Sequence, residues 1–62
     1  MYKVSMYDGL KNTPEFEENF GDEDDAKRKF RELRDQYSGS GNDLYLAETD
    51  GRNFDTIKHK RL

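Results

Sequence analysis

Apolar and polar side chains alternate from the first residues of the chain. Tyr2, Val4 and Met6 fall on one side of an extended segment, and Lys3, Ser5 and Tyr7 on the other. That period of two predicts a half-buried strand over 2–7. Asp8-Gly9 follows as a turn, since glycine accepts a positive φ at little steric cost. Residues 11–20 carry two patterns at once. Thr13-Pro14-Glu15 suits the N-cap, first position and acidic first turn of a short helix that Gly21 would end. Two helical turns are marginal alone, however, and Phe16 and Phe20 also share one face of a strand. A strand over 13–20 pairing back onto 2–7 is the stronger of the two readings.

The period then changes to 3.6. Asp22 is placed to cap a helix over 22–37, with Glu23, Asp24 and Asp25 in the first turn, where the macrodipole favours negative charge. Ala26, Phe30, Leu33 and Tyr37 follow at spacings of four, three and four. At ~100° per residue they span an arc of about 60°. Glu23–Lys27, Asp24–Arg28 and Asp25–Lys29 form acid-first i,i+4 pairs on the outer surface. Ser38-Gly39-Ser40-Gly41-Asn42 ends the helix in a loop. Beyond it, 43–49 and 54–60 read as a hairpin around Asp50-Gly51-Arg52-Asn53. Leu44 and Leu46 face one way, Tyr45 and Ala47 the other. Phe54 and Ile57 are out of phase, which calls for a bulge or a strand with two apolar sides.

These elements predict an α+β fold. A small antiparallel sheet of three to four strands, ββαββ or βαββ, carries one amphipathic helix on one face. Residues 1–62 form a single domain, with 58–62 a basic tail polar enough to fray. The second sheet face stays open, with Tyr7, Tyr45, Ile57 and Phe54 as candidates to lie on it.

Composition narrows the function. A chain of 62 residues buries only about 60% of its unfolded surface, so a partner or a second copy bears on its stability. Charged residues make up 40%, yet the net charge is only −3 and eight residues are aromatic, which favours a folded chain over a disordered one. There is no cysteine, hence no disulfide and no thiolate zinc site. No apolar run approaches ~18 residues, and Met1 leads into a strand rather than a signal segment. The chain reads as complete and cytoplasmic, with no membrane contact.

Catalysis finds little to work with. The single histidine, His59, lies between Lys58 and Lys60 near the end of the chain. No Ser or Thr occupies a nucleophile elbow, and so short a chain rarely encloses a pocket of ~300 Å³. The expectation is no enzyme and no cofactor. Asp22-Glu23-Asp24-Asp25 lacks the alternating acids and central glycine of a calcium loop, so it reads as a helix cap and not a metal site. Ser38-Gly39-Ser40-Gly41 follows a helix and precedes a strand, the reverse of a phosphate cradle.

Interaction surfaces are the better candidates. Seven acids and no base lie between Glu15 and Asp25. Such a band serves solubility, and it also steers basic proteins. Glu15, Glu17, Glu18, Asp22, Asp24 and Asp25 are the candidate partner contacts, with Tyr7 and Tyr45 as aromatic anchors. The alternative is nucleic-acid binding by Lys27, Arg31 and Arg34 along one helix flank, joined by Arg52, Lys58, Lys60 and Arg61. A sequence pI near 5.0 opposes it. A homodimer through the open face or the terminal strand is a third reading.

The Met1-Tyr2-Lys3-Val4-Ser5-Met6-Tyr7 strand, the Phe20-Gly21-Asp22-Glu23-Asp24-Asp25-Ala26 helix start and the Asp50-Gly51 hairpin together resemble the small α+β proteins encoded by lytic bacteriophages. The resemblance spans nearly the whole chain. It implies a stoichiometric inhibitor of a host protein, acting in the host cytoplasm on transcription, replication, nucleoid or defence machinery. Some such inhibitors mimic DNA with acidic faces, and the charge of −3 departs from those.

Overall fold

The computed structural model describes residues 1–11 and 13–62. Its elements are β1 (Tyr2–Tyr7), β2 (Pro14–Phe20), α1 (Glu23–Gln36), β3 (Asp43–Thr49) and β4 (Phe54–Arg61). The strands form one antiparallel sheet in the order β2-β1-β3-β4. One helix packs on one face of it, the ββαββ form of the expected α+β fold. No helix among the described residues is long and apolar enough to cross a membrane.

The core lies between α1 and the two central strands. Val4 sits opposite Leu46 and Met6 opposite Leu44, and all four are at most 1% exposed. Ala26, Phe30 and Leu33 cover them from the helix, while Tyr2, Phe16, Phe20, Tyr37 and Leu62 close the rim. Burying each large aliphatic or aromatic side chain contributes about 1.5–3 kcal/mol, so these few residues carry most of the fold. Asp22 caps α1 as expected, its Oδ1 accepting the Asp24 N–H at 2.8 Å.

Residues 14–20 are a strand. There Phe20 lies opposite Tyr2 and Phe16 opposite Met6, so both rings reach the rim of the core. A two-turn helix would have had to hold itself. Pro14 tolerates this place because it opens an edge strand. The pairing steps from Met6↔Phe16 to Tyr7↔Pro14 and leaves Glu15 as a bulge.

Three local expectations need correction. Gly9 does not turn the chain with a positive φ; Gly39, Gly41 and Gly51 do. The turn after β1 is shaped by Asp8, whose Oδ1 accepts the Leu10 N–H at 2.7 Å. Gly9 instead permits close approach, because a Cβ there would lie 3.3 Å from the Gly41 carbonyl oxygen. On the helix, Glu23–Lys27 forms at 3.9 Å, but Arg28 meets Asp25 at 3.6 Å and Lys29 meets Glu32 at 3.5 Å, both at i,i+3. Neighbours three and four apart are about equally near on a helix, and such pairs differ by only tenths of a kcal/mol. Finally, 58–61 do not trail from the sheet. They pair with β3 through Arg61. Leu62 donates its N–H to Asn42 at 2.8 Å and accepts the Gly41 N–H at 3.0 Å.

The phase conflict in β4 is resolved by a bulge. Lys58 lies opposite Leu46 but Thr56 lies opposite Ala47, so Ile57 is the extra residue. Lys58 and Lys60 therefore share the helix side with Leu46 and Leu44. Phe54, Thr56, His59 and Arg61 go to the open side.

Candidate binding surface on the open face of the sheet

The helix-free face is ordered in rows by the strand register. One row runs Pro14–Tyr7–Asp43–Arg61, the next Glu17–Ser5–Tyr45–His59, and the next Asn19–Lys3–Ala47–Thr56. Ser5 and Ala47 are small and at 8% exposure form the floor. Larger side chains stand around them: Tyr7, Tyr45, Lys3 and Phe54. The result is a solvent-open trough of about 490 Å³, larger than the chain length alone suggested, but a trough and not an enclosed pocket.

Its walls are held by aromatic and charged contacts. Tyr7 and Tyr45 meet edge to face at 5.8 Å and 82°. The Tyr45 ring stacks on His59 at 4.4 Å and 5°. Asp43 Oδ1 lies 3.2 Å from His59 Nε2 and accepts the Arg61 Nε–H at 3.3 Å. The bond to His59 first, then that from Arg61, holds the Asp43 carboxyl below its ordinary range. At the far wall Lys3 lies 3.0 Å from Glu17 and 5.1 Å from the centroid of Phe54, linking β2, β1 and β4 across β3. Phe54 is 56% exposed, and Leu10, which follows the lining residues Asp8 and Gly9 in the chain, is 97% exposed.

The expected contact residues divide. Tyr7 and Tyr45 do come together. Glu17 borders the open face, and Glu15 is the bulge residue of β2; the nearby Asp8 carboxyl is lowered chiefly by the Leu10 N–H. Glu18 points to the helix side, opposite Val4 on the neighbouring strand. Asp22 is engaged as the cap, and Asp24 and Asp25 start the helix. The acids thus wrap one edge of the molecule; none of the six lines the trough, and Glu17 reaches it only through its ion pair with Lys3.

The basic set divides too. Lys29 reaches the Phe16 ring at 5.2 Å and Lys58 the Phe30 ring at 5.9 Å. The flank of α1 bearing Lys29 therefore faces β2, and the opposite flank, with Lys27, Arg31 and Arg34, lies on the side of β4. Lys58 and Lys60 join these three. Arg61 is on the open face with Asp43, and Arg52 is in the β3–β4 turn.

Sequence reasoning missed Asp43, Lys3, Phe54's contact with Lys3, and Leu10. The Asp43–His59–Tyr45 group is visible only once the register past the bulge is known. Leu10 carried a local signal, an apolar residue between Gly9 and Lys11 in a turn. Chemically the face offers stacking, apolar contact and paired charges. Among the described residues no nucleophile–base pair is formed around His59. Ser5 lies two strands from His59, about 9–10 Å at the usual inter-strand spacing, with Tyr45 between. No group of three or more His, Cys, Asp or Glu among the described residues is placed to hold a metal ion. Comparison with family models, with curated proteins and with solved structures gives no match.

Proposed function

We propose that the chain is a non-catalytic binding protein that holds a segment of a protein partner in the trough of its open sheet face and so modulates that partner. The uncovered trough carries the reading. It offers exposed Phe54 and a Tyr7–Tyr45 wall in its lining, with exposed Leu10 next in the chain after the lining residues Asp8 and Gly9. Exposed apolar groups gathered at one concave surface mark interaction sites, and aromatic anchors dominate interface energetics. Asp8, which lines the trough at the Tyr7 end, favours a basic segment and opposes a phosphate backbone. A host protein, as the phage-type resemblance implies, is the proposed class of target.

A photo-crosslinking residue in place of Tyr7 tests this in lysate of the cells that carry the chain. The expected product is one protein adduct that survives nuclease and is lost when Leu10 and Phe54 are both changed to Ser. An adduct removed by nuclease overturns the reading.

Nucleic-acid binding stands second, because Lys27, Arg31, Arg34, Lys58 and Lys60 share one side. It predicts affinity for single- or double-stranded DNA that falls steeply with salt. Lys58→Ala would lower the slope of log K against log salt by about 1. Affinity indifferent to salt removes it.

A further inference from the structure

The two edges of the sheet are chemically opposite. β2, at one edge, carries Glu15, Glu17 and Glu18 and no base; β4, at the other, carries Lys58, Lys60 and Arg61 against a single acid, Asp55. Both edges turn one row of backbone N–H and C=O groups outward, a template for pairing with a further strand. Charge usually protects such edges, since two copies meeting like to like repel. Here that protection holds for β2 against β2 and for β4 against β4, but not for β2 against β4.

Strand direction agrees. All three pairings are antiparallel, so direction alternates across β2-β1-β3-β4. A β2 from a second copy, added beside β4 with its helix on the same side, continues the alternation. The faces agree as well. Glu18 shares the helix side with Val4, as does Lys60 with Leu44, while Glu17 and Arg61 both lie on the open side. With residues 16–20 set against 58–62, Glu18 meets Lys60 and Glu17 meets Arg61. The same register brings the half-buried Phe16 and Leu62 together, and sets the Lys58 side chain beside Phe20. Arg61 and Glu17 are 74% and 44% exposed beside their internal partners, which leaves both open to a second contact.

We propose that the chain associates with further copies of itself head to tail, β2 of one against β4 of the next, in one continued antiparallel sheet. Such an interface is heterologous, so it propagates or closes a ring and does not stop at a symmetric pair. It leaves the trough free and is independent of what the trough binds.

Sedimentation of the full chain at low salt tests this. The expected mass rises with concentration past the dimer and returns to the monomer as salt is raised, and amide exchange in β2 and β4 slows together with concentration. E17K/E18K makes both edges basic, and K58E/K60E makes both acidic. Each alone should associate at least about tenfold more weakly than the wild type, and an equal mixture of the two should recover association by alternating. A wild type that stays monomeric at every concentration overturns the proposal. So does a mass that stops at the dimer, or a mixture of the two folded variants that stays monomeric. Association that survives both pairs of changes but is lost in Tyr45→Ser places the contact on the open face instead, which also overturns it.

Discussion

Side chains of the same type have very different weight here according to where the register places them. Leu46 is fully buried, while Leu10 is 97% exposed. Leu46→Ala should lower unfolding free energy by about 2–5 kcal/mol, read from denaturant melts. Leu10→Ser should leave it within about 0.5 kcal/mol while weakening partner capture. Asp43 makes a prediction in pH. Its carboxyl is held below the ordinary range by the hydrogen bond with His59 and then by Arg61. A folded value below the unfolded one adds stability that is present above about pH 4 and is lost as pH falls through the folded value. The melting difference between wild type and Asp43→Asn should be widest near neutrality and close in acid; a difference unchanged down to pH 2 would refute the link. Tyr7 and Tyr45 could be assigned to the open face from alternation alone. Asp43 and His59 could not, because their meeting depends on pairing across strands 16 residues apart.

Among the elements, α1 was the most legible, because its cap, acidic first turn and apolar stripe all point the same way. Asp22→Ala should cost about 1 kcal/mol, measured by thermal melts. β2 was ambiguous for a physical reason: phenylalanines four apart satisfy both a helix face and a strand face. What decided it was the rim of the core, which only a strand at the edge of β1 supplies. β4 was the least legible. One extra residue reverses the parity of a strand, and Ile57 is that residue. Continuing the Thr49↔Phe54 pairing with Ile57 paired to Leu46 would set Tyr45 against Lys58 and Leu44 against His59. A chain lacking Ile57 needs no bulge: Lys58 follows Thr56 and still meets Leu46, so it should keep the Tyr45–His59 contact, seen in NMR as retained cross-ring NOEs and ring-current shifts at His59. Loss of those signals would show that Ile57 is not the residue that sets the register.

At the scale of the molecule, the acidic side was readable as a run of neighbours in the sequence, but the basic side was not. Lys27, Arg31 and Arg34 belong to the helix, and Lys58 and Lys60 to the last strand; only the fold gathers them. The placement of the ends has a mechanical consequence. β1 and β4 run the same way on either side of β3, so Met1 and Leu62 lie at opposite ends of the sheet. Tension applied through those two residues drags β1 and β4 in opposite directions along β3. The ladders are then loaded in shear, many hydrogen bonds at once, and do not open one after another like a zip. Anything that tethers this small protein at both ends would find it stiff along that line, and far weaker when pulled across the strands.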